Sequence, residues 1–317
     1  MSLRADRIAL NPIAWANVKA DPNDPASDDL WLFADPAFRA AYPGILKEIR
    51  DAGFPAVMME VLDTQTLQDY ARMVADAGLA LAPGYAAIGL PEDGGVTLAP
   101  GSAEEVRWFD RVRRKAEESL YFGLDTVFLA PEMSWGETAV RTNKRVAVGA
   151  AFDSGRLDRV IDMLGRSAEV LRAEGVRAGL HNHVGTWIET EDEIERALAD
   201  VPADLLGASF DVGHLAWAGI DSVGLIERHA HRLLDVHVKD LDLEVARRSR
   251  ETPTSYRAAT DAGLFLEPGL GDLDLDAVLR ALPADWPGWV IIEVDRASMS
   301  PRASAEASWA WSAQRLA

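Results

Sequence analysis

The chain has 317 residues, 48% of them hydrophobic and 26% charged, with a net charge of −19 and no cysteine. This charge argues against nucleic acid or an anionic membrane surface as a partner, because both attract basic patches. Without cysteine, disulfides, thiolate nucleophiles and cysteine–zinc sites are excluded, and a cytoplasmic location is favoured. Met1–Asn11 does not resemble a signal peptide, and no run reaches the roughly 18 apolar residues of a transmembrane helix.

Short apolar strands alternate with amphipathic helices along the chain. The predicted strands are Ile8–Asn11, Ala56–Glu60, Leu79–Ala86, Thr126–Ala130, Arg177–Asn182, Leu206–Asp211, Leu233–Val238 and Gly288–Glu293. The predicted helices are Pro36–Ala52, Thr64–Ala77, Ser102–Phe122, Arg156–Ala173, Glu191–Asp200, Ser222–His229, Asp274–Ala281 and Ala303–Leu316. A loop at Met133–Ala151 and a longer, partly helical excursion at Leu241–Gly271 interrupt this alternation.

Eight strand–helix units predict an α/β fold with a parallel sheet, closed into a single (β/α)8 TIM barrel. The dinucleotide-binding alternative lacks its main signal, since no Gly-x-Gly-x-x-Gly follows a strand. We expect one domain over residues 1–317, with an insertion at about 241–271 between the seventh and eighth units.

Polar side chains stand at the carboxyl ends of the predicted strands, where barrel enzymes place their active sites. They are Glu60, Glu132, His181, His183, Asp211, His237 and Glu293. The alternation supports this arrangement, because Asp235, His237 and Lys239 share one face of their strand. Glu293 and Asp295 likewise share a face opposite the aliphatic residues of the last strand. We expect the polar faces to line the barrel.

Converging carboxylates repel one another unless a cation neutralises them. We therefore predict that Glu132, Asp211, His237 and Glu293 bind a divalent metal. Three carboxylates and one imidazole suit Mn²⁺, with Co²⁺ or Mg²⁺ as alternatives. The competing interpretation is that these residues cap helices or pair with Lys239 and Arg296.

Six stretches in order along the chain resemble the xylose-isomerase-like superfamily of sugar isomerases and epimerases, and within it the inosose dehydratases. They are Asn11–Trp15, His181–Thr190, Asp211–Asp221, Asp235–Asp240, Gly263–Gly271 and Trp289–Glu293. The sequence departs from the ketose 3-epimerases at Gly179, which takes the place of a ligand and catalytic Glu in that group. The loop after Glu132 also departs from the dehydratase pattern.

The resemblance implies a metal-dependent lyase acting on a keto-cyclitol or keto-sugar. A base removes the α-proton, an enediolate is stabilised, and a β-group leaves. His181 or His183 is suited to be the base, because imidazole titrates near neutral pH. Lys239, His214 and Glu60 are candidates for orienting hydroxyls or donating a proton. Trp15, Trp135, Trp217 and Arg296 are candidates for substrate binding, although each Trp is better suited to core packing than to the wall of a site.

A second version of the same chemistry comes from the C-glycoside deglycosidases, which this chain also resembles. They cleave the C–C bond of 3-keto C-glycosides, release an aromatic aglycone, and work with a small β-rich partner subunit. Rival hypotheses are a sugar isomerase or epimerase, which needs a second base, a non-catalytic sugar-binding barrel, and an endonuclease, which needs a basic face. We expect a small-molecule ligand and either a homo-oligomer or a complex with a small β subunit.

Overall fold

The computed structural model describes residues 3–19, 29–133 and 139–316. The main sheet has nine parallel segments. They are β1 (Ile8–Leu10), β4 (Ala56–Met58), β5 (Ala80–Ala82), β6 (Tyr85–Ile88), β7 (Thr126–Pro131), β8 (Arg177–Leu180), β9 (Leu206–Asp211), β10 (Leu233–Val238) and β13 (Val290–Ile292). Two short antiparallel pairs complete the strands: β2 (Asn17–Lys19) with β3 (Asp29–Trp31), and β11 (Asp240–Leu241) with β12 (Phe265–Leu266).

The sheet order, β5-β4-β1-β13-β10-β9-β8-β7-β6, begins and ends with neighbours in sequence. The predicted third strand, Leu79–Ala86, is interrupted at Pro83 and Gly84, so its halves β5 and β6 pair with opposite neighbours. Gly84 is required at the break, since a Cβ there would lie 2.8 Å from the Met59 carbonyl oxygen. The sheet therefore closes on itself through one broken strand, and the predicted (β/α)8 barrel is confirmed.

Helices follow the strands and cover the barrel. They are α1 (Pro36–Ala52), α2 (Leu67–Asp76), α3 (Ala103–Tyr121), α4 (Val140–Asn143), α5 (Ser154–Ala173), α6 (Glu191–Asp200), α7 (Val212–Trp217), α8 (Ser222–Arg228), α9 (Leu243–Glu251), α10 (Tyr256–Asp261), α11 (Leu275–Ala281) and α12 (Pro301–Ala313). Single 3₁₀ turns lie at Ala5–Arg7, Pro12–Trp15, Pro91–Gly94 and Ala230–Arg232.

Side-chain caps explain where the helices begin. The Ser102 hydroxyl accepts the Glu105 N–H at 3.1 Å, as the capping-box pattern predicts. The prediction that α2 begins at Thr64 is wrong by three residues, because Thr66 caps the helix by accepting the Asp69 N–H. Helix α7 was not predicted; Asp211 caps it by accepting the His214 N–H at 3.0 Å.

Alternation along the strands separates two apolar layers. Val236, Val238 and Ile292 belong to the large core between sheet and helices. Ile291 and Phe128 belong to a small cluster inside the barrel. The predicted orientation of the last two strands is thus confirmed, and their polar residues point inward.

The excursion after β10 forms α9, α10 and the β11–β12 pair. Its Val245, Tyr256 and Phe265 form a separate buried cluster with Val184 and Trp217. This cluster lies beside the strand ends, so the insertion helps to cover the polar residues there. Among the described residues, no helix has the length and apolar character needed to cross a membrane.

Candidate functional site

Three strand-end residues form the first cluster. His181, Asp211 and His237 are buried, and their ligand atoms lie within 4.8 Å of one another. His181 Nδ1 lies 3.2 Å from the Ser209 carbonyl oxygen, which fixes the hydrogen on Nδ1 and leaves Nε2 as an acceptor. His181 Nε2 lies 4.0 Å from Asp211 Oδ2. A cation between these groups would receive an imidazole nitrogen and a carboxylate oxygen.

Glu293 extends this cluster. Its Oε2 lies 3.1 Å from His237 Nδ1 and also accepts a hydrogen bond from Asn11. Among the described residues, the other ring nitrogen of His237, Nε2, has no hydrogen-bond partner, although the side chain is only 1% exposed. A buried, unsatisfied imidazole beside two carboxylates fits a metal-binding site, since leaving such a group unpaired costs free energy.

Lys239 connects the acidic residues. Its ammonium lies 2.8 Å from Asp211 Oδ2, 2.8 Å from Glu293 Oε1 and 2.5 Å from Asp295 Oδ2. All of these side chains are buried. Pairing with Lys239, the competing interpretation of the strand-end carboxylates, is therefore present, but it leaves the neighbouring imidazoles unsatisfied.

A second cluster lies on the far side of Lys239. His183 Nε2 and His214 Nε2 lie 3.8 and 3.7 Å from the same oxygen, Asp295 Oδ1. His183 Nδ1 is 2.8 Å from the Val184 carbonyl oxygen, so it carries the hydrogen, and Nε2 is the accepting nitrogen. His183 keeps 14% of its side chain exposed, whereas His214 has none. The ring of Tyr256 stacks on His183 at 6.0 Å.

Burial and charge set the protonation of these groups. Burial lowers the pKa of His181 well below its usual value, and neighbouring His237 lowers it further. Burial and His183 lower the pKa of His214 to about 4, so it is neutral at pH 7. Burial opposes charge on Lys239, yet the surrounding carboxylates raise its pKa well above the usual value. His181 and His214 are thus held as neutral imidazoles beside an ammonium–carboxylate network.

His181 and His183 lie side by side, with their ring centres 6.3 Å apart, but they face different carboxylates. Strand β8 ends at Leu180, so His181, Asn182 and His183 follow loop geometry. His181 faces Asp211, His183 faces Asp295, and Asn182 exchanges hydrogen bonds with the Asp211 backbone. At Gly179, a Cβ would lie 1.9 Å from Ser209 Oγ, so no side chain fits there without rearrangement.

Two predicted acidic residues lie outside both clusters. Glu132, predicted to bind the metal, has 42% of its side chain exposed and contacts Arg111 at 3.4 Å. Burial raises the pKa of Glu60, and the charges it responds to are Lys115, Glu118 and Asp63, not those of the histidines. The structure brings His181 into the place beside Asp211 and His237 that Glu132 was expected to fill.

The other predicted binding residues differ in accessibility. Trp15 donates to Glu48 on α1 at 3.1 Å. Trp217 is fully buried, donates to Ser249 at 2.9 Å, and stacks below His214. Arg296 pairs with Asp261 at 2.5 Å. These contacts favour packing and surface pairing for the three side chains, and Trp135 lies outside the described residues.

Sequence reasoning assigned no role to Asp295, Asn11 or Asn182. Asp295 is the shared partner of His183, His214 and Lys239. Its position two residues after Glu293, on the same face, was the available signal. The amides had no comparable signal, because their partners come from distant strands.

A cavity of about 630 Å³ lies at the ends of β6 and β7. Its wall includes Gly185, two residues after His183, together with Glu132 and Met133. Trp108 and Trp187 provide aromatic surface, and Arg141 and Arg156 provide charge. The volume is in the range typical of small-molecule sites.

The sequence pattern of the xylose isomerase-like TIM barrel family matches residues 46–316. Inosose dehydratase of Geobacillus thermodenitrificans is 34% identical over 146 residues, 46% of this chain and 49% of that protein. The rhizopine catabolism protein MocC of Rhizobium meliloti is 37% identical over 139 residues, 44% of this chain and 41% of that protein. The chain thus spans about half the length of these two relatives. Inosose dehydratase of Geobacillus kaustophilus is 26% identical over 296 residues, which cover 92% of this chain and 87% of that protein.

Solved structures share the fold at low identity. L-ribulose 3-epimerase superposes with a TM-score of 0.64 at 18% identity, covering 98% of this chain and 94% of that one. The IOLI protein, solved with a zinc atom, superposes with a TM-score of 0.62 at 13% identity, covering 98% of both chains.

Proposed function

Because the chain belongs to the xylose isomerase-like TIM barrel family, we propose that it is a divalent-metal-dependent lyase acting on a keto-cyclitol or keto-sugar. The observation that carries this proposal is the pair of clusters. In the described part of the chain, one holds the His237 Nε2 without a hydrogen-bond partner beside carboxylates, and the other holds a partly exposed imidazole with an accepting Nε2. The similarity to inosose dehydratases supports a dehydration.

The metal would be held by His181, Asp211, His237 and Glu293. This set replaces the predicted Glu132 with His181, whose Nε2 faces Asp211. Two imidazoles and two carboxylates suit Mn²⁺ or Co²⁺. Because this set has one more nitrogen ligand than the predicted set, it also suits Zn²⁺ better than the predicted set does. When bound, the ion would supply positive charge that polarises a substrate carbonyl.

His183 is the proposed base. Its Nδ1–H is committed to the Val184 carbonyl, so Nε2 accepts the α-proton of the substrate. Asp295 lies 3.8 Å from that nitrogen and stabilises the imidazolium that results. As the C–H bond breaks, its electron pair forms the new C=C bond, and the β-hydroxyl takes up the proton that His183 removed and leaves as water.

His214 and Lys239 are assigned supporting roles. Both are fully buried, and both contact Asp295. They position this carboxylate beside His183 and balance its charge. Lys239 also separates the negative charges of Asp211 and Glu293, which would otherwise repel one another.

The test is turnover of a keto-inositol by the purified chain with Mn²⁺ added, and after treatment with a chelator. Mass spectrometry should detect a product that has lost one water, formed only when the metal is present. The contrary result would be metal-bound protein that neither dehydrates the keto-cyclitols and keto-sugars tested nor exchanges their α-protons with deuterium from the solvent. That result would overturn the proposal in favour of a sugar-binding barrel.

A further inference from the structure

A tyrosine inside the barrel has no role in the reaction proposed above. Tyr85 begins β6 and packs against the small apolar cluster inside the barrel. Ala86 and Ile88 point the other way, into the large core under the helices. The two inward residues, Tyr85 and Ala87, are half-buried, whereas the two outward residues are buried. The inward face of β6 therefore borders open space, and only the methyl group of Ala87 follows Tyr85 toward the carboxyl end of the strand.

The ring of Tyr85 lies against the proposed metal cluster. It meets the His181 ring edge-on, with the ring centres 5.7 Å apart. Burial raises the pKa of Tyr85 most, and the negative charges of Glu293 and Glu132 raise it further. The phenol therefore keeps its proton at neutral pH. Tyr85 thus places a neutral hydroxyl group close to the residues proposed to hold the metal.

Packing does not account for the hydroxyl group of Tyr85. Among the described residues, it has no hydrogen-bond partner. The hydroxyls of Tyr42 and Tyr70, by contrast, lie 3.4 Å apart and both bond to the Glu60 backbone. Phenylalanine would fill the apolar part of the position, as Phe128 does on the neighbouring strand. Since a tyrosine hydroxyl in such a setting usually has a partner, this one suits a bond to a ligand.

We propose that the Tyr85 hydroxyl donates a hydrogen bond to the carbonyl oxygen of the substrate as that oxygen gains negative charge. The inference rests on the proposed function, because removal of the α-proton by His183 creates this charge. The electron pair of the C–H bond forms the C=C bond, the π pair of the carbonyl moves onto its oxygen, and the phenol keeps its proton. Hydrogen bonds to charged oxygen are about twice as strong as neutral ones, so the donor lowers the barrier more than it improves substrate binding.

Tyr85→Phe tests this role, because it removes the hydroxyl group and keeps the ring against His181. With Mn²⁺ added, the maximum rate of α-proton exchange of a keto-inositol in D₂O should fall by about 10²-fold. The substrate concentration that gives half of this rate should change by less than about threefold. The metal content and the thermal unfolding should match wild type. Tyr121→Phe, which alters an exposed tyrosine of α3, is the control and should preserve the exchange rate.

A binding measurement that needs no turnover separates this inference from the proposed function. Kojate, the anion of kojic acid, carries a charged enolate oxygen next to a carbonyl oxygen and so resembles the charged state of the substrate. In isothermal titration calorimetry with the Mn²⁺-loaded proteins, Tyr85→Phe should bind kojate about tenfold more weakly than wild type.

This weaker binding in a chain that exchanges no α-proton would refute the proposed function and leave the contact between Tyr85 and an anionic oxygen standing. Three results would overturn the inference. They are an unchanged affinity for kojate, an exchange rate in Tyr85→Phe equal to that of an active wild type, and loss of the metal from this variant, which would give Tyr85 a purely structural role beside His181.

Discussion

Lys239 neutralises the acidic residues of the metal-free site. Its ammonium is fully buried among Asp211, Glu293 and Asp295. Removing one partner of a buried ion pair leaves uncompensated charge, at a cost of about 3–5 kcal/mol.

We therefore predict that Lys239→Met lowers the free energy of unfolding of the metal-free chain by about that amount. Added Mn²⁺ should restore part of the loss, because a cation would neutralise Asp211 and Glu293. Differential scanning calorimetry with and without Mn²⁺ measures both effects, and Lys47→Met on the exposed face of α1 is the control. A loss of the same size in both conditions would contradict the shared role of these carboxylates.

The buried carboxyl group of Glu189 should make the free energy of unfolding depend on pH. It accepts N–H groups from Gly149 and Gly185, both at 2.8 Å. Burial raises its pKa to about 7, against the opposing charge of Arg141. The folded state therefore binds a proton more tightly than the unfolded chain. The resulting stability is complete below the unfolded pKa and is lost as pH rises toward 7.

For Glu189→Gln, the free energy of unfolding relative to wild type should rise by about 3 kcal/mol between pH 4.5 and pH 7.5, because the variant has no carboxyl group to ionise. The absolute stability of the variant is less informative, since Gln can replace only one of the two acceptors. Urea denaturation across this range provides the values, with the exposed Glu117→Gln as the control. If the free energies of unfolding of wild type and variant change in parallel with pH, Glu189 does not take up a proton in the folded state over this range.

At the level of elements, a buried arginine joins α4 to the loop that carries His183. Arg141 pairs with Glu193 on α6 through contacts of 2.7 and 3.0 Å, and it donates to the Thr186 and Ala150 carbonyl groups. Thr186 belongs to the loop that carries His183, and Ala150 belongs to the wall of the cavity. Arg141 therefore holds this loop and the cavity wall in a fixed relative position.

Arg141→Met should reduce the free energy of unfolding by about 3–5 kcal/mol, since Glu193 would stay buried without its partner. Arg159→Met is the matched control: Arg159 pairs with Glu92 at 2.6 Å, but 54% of it is exposed, and its removal should cost about 1 kcal/mol or less. Urea denaturation compares the two. Similar losses in both variants would show that the buried pair is not an anchor.

The sequence could predict the elements and their order because each depends on local signals. Alternation in β10 and caps such as Ser102 act within a few residues. The break in the third strand was signalled by the Pro83-Gly84 pair itself, but the close approach of Gly84 to the Met59 carbonyl, which follows another strand, had no local signal. The proposed metal set differs from the predicted one for the same reason. That His181 rather than Glu132 lies beside Asp211 depends on where β8 ends and on how β8 and β9 are aligned.

For the whole molecule, barrel closure explains why residues from distant parts of the chain meet. Asn11 follows the first strand and bonds to Glu293 after the last, and the insertion supplies Tyr256 beside His183.

The measurement that tests the central claim most directly is α-proton exchange of a keto-inositol in D₂O, recorded by NMR with metal content determined on the same samples. Wild type with Mn²⁺ should incorporate deuterium. His183→Ala should retain the metal yet lose exchange by a factor of about 10² or more, as expected for removal of a general base. His181→Ala should lose the metal and exchange together. Undiminished exchange in His183→Ala, or full metal content in His181→Ala, would contradict the division of the site into a metal-binding cluster and a proton-transfer cluster.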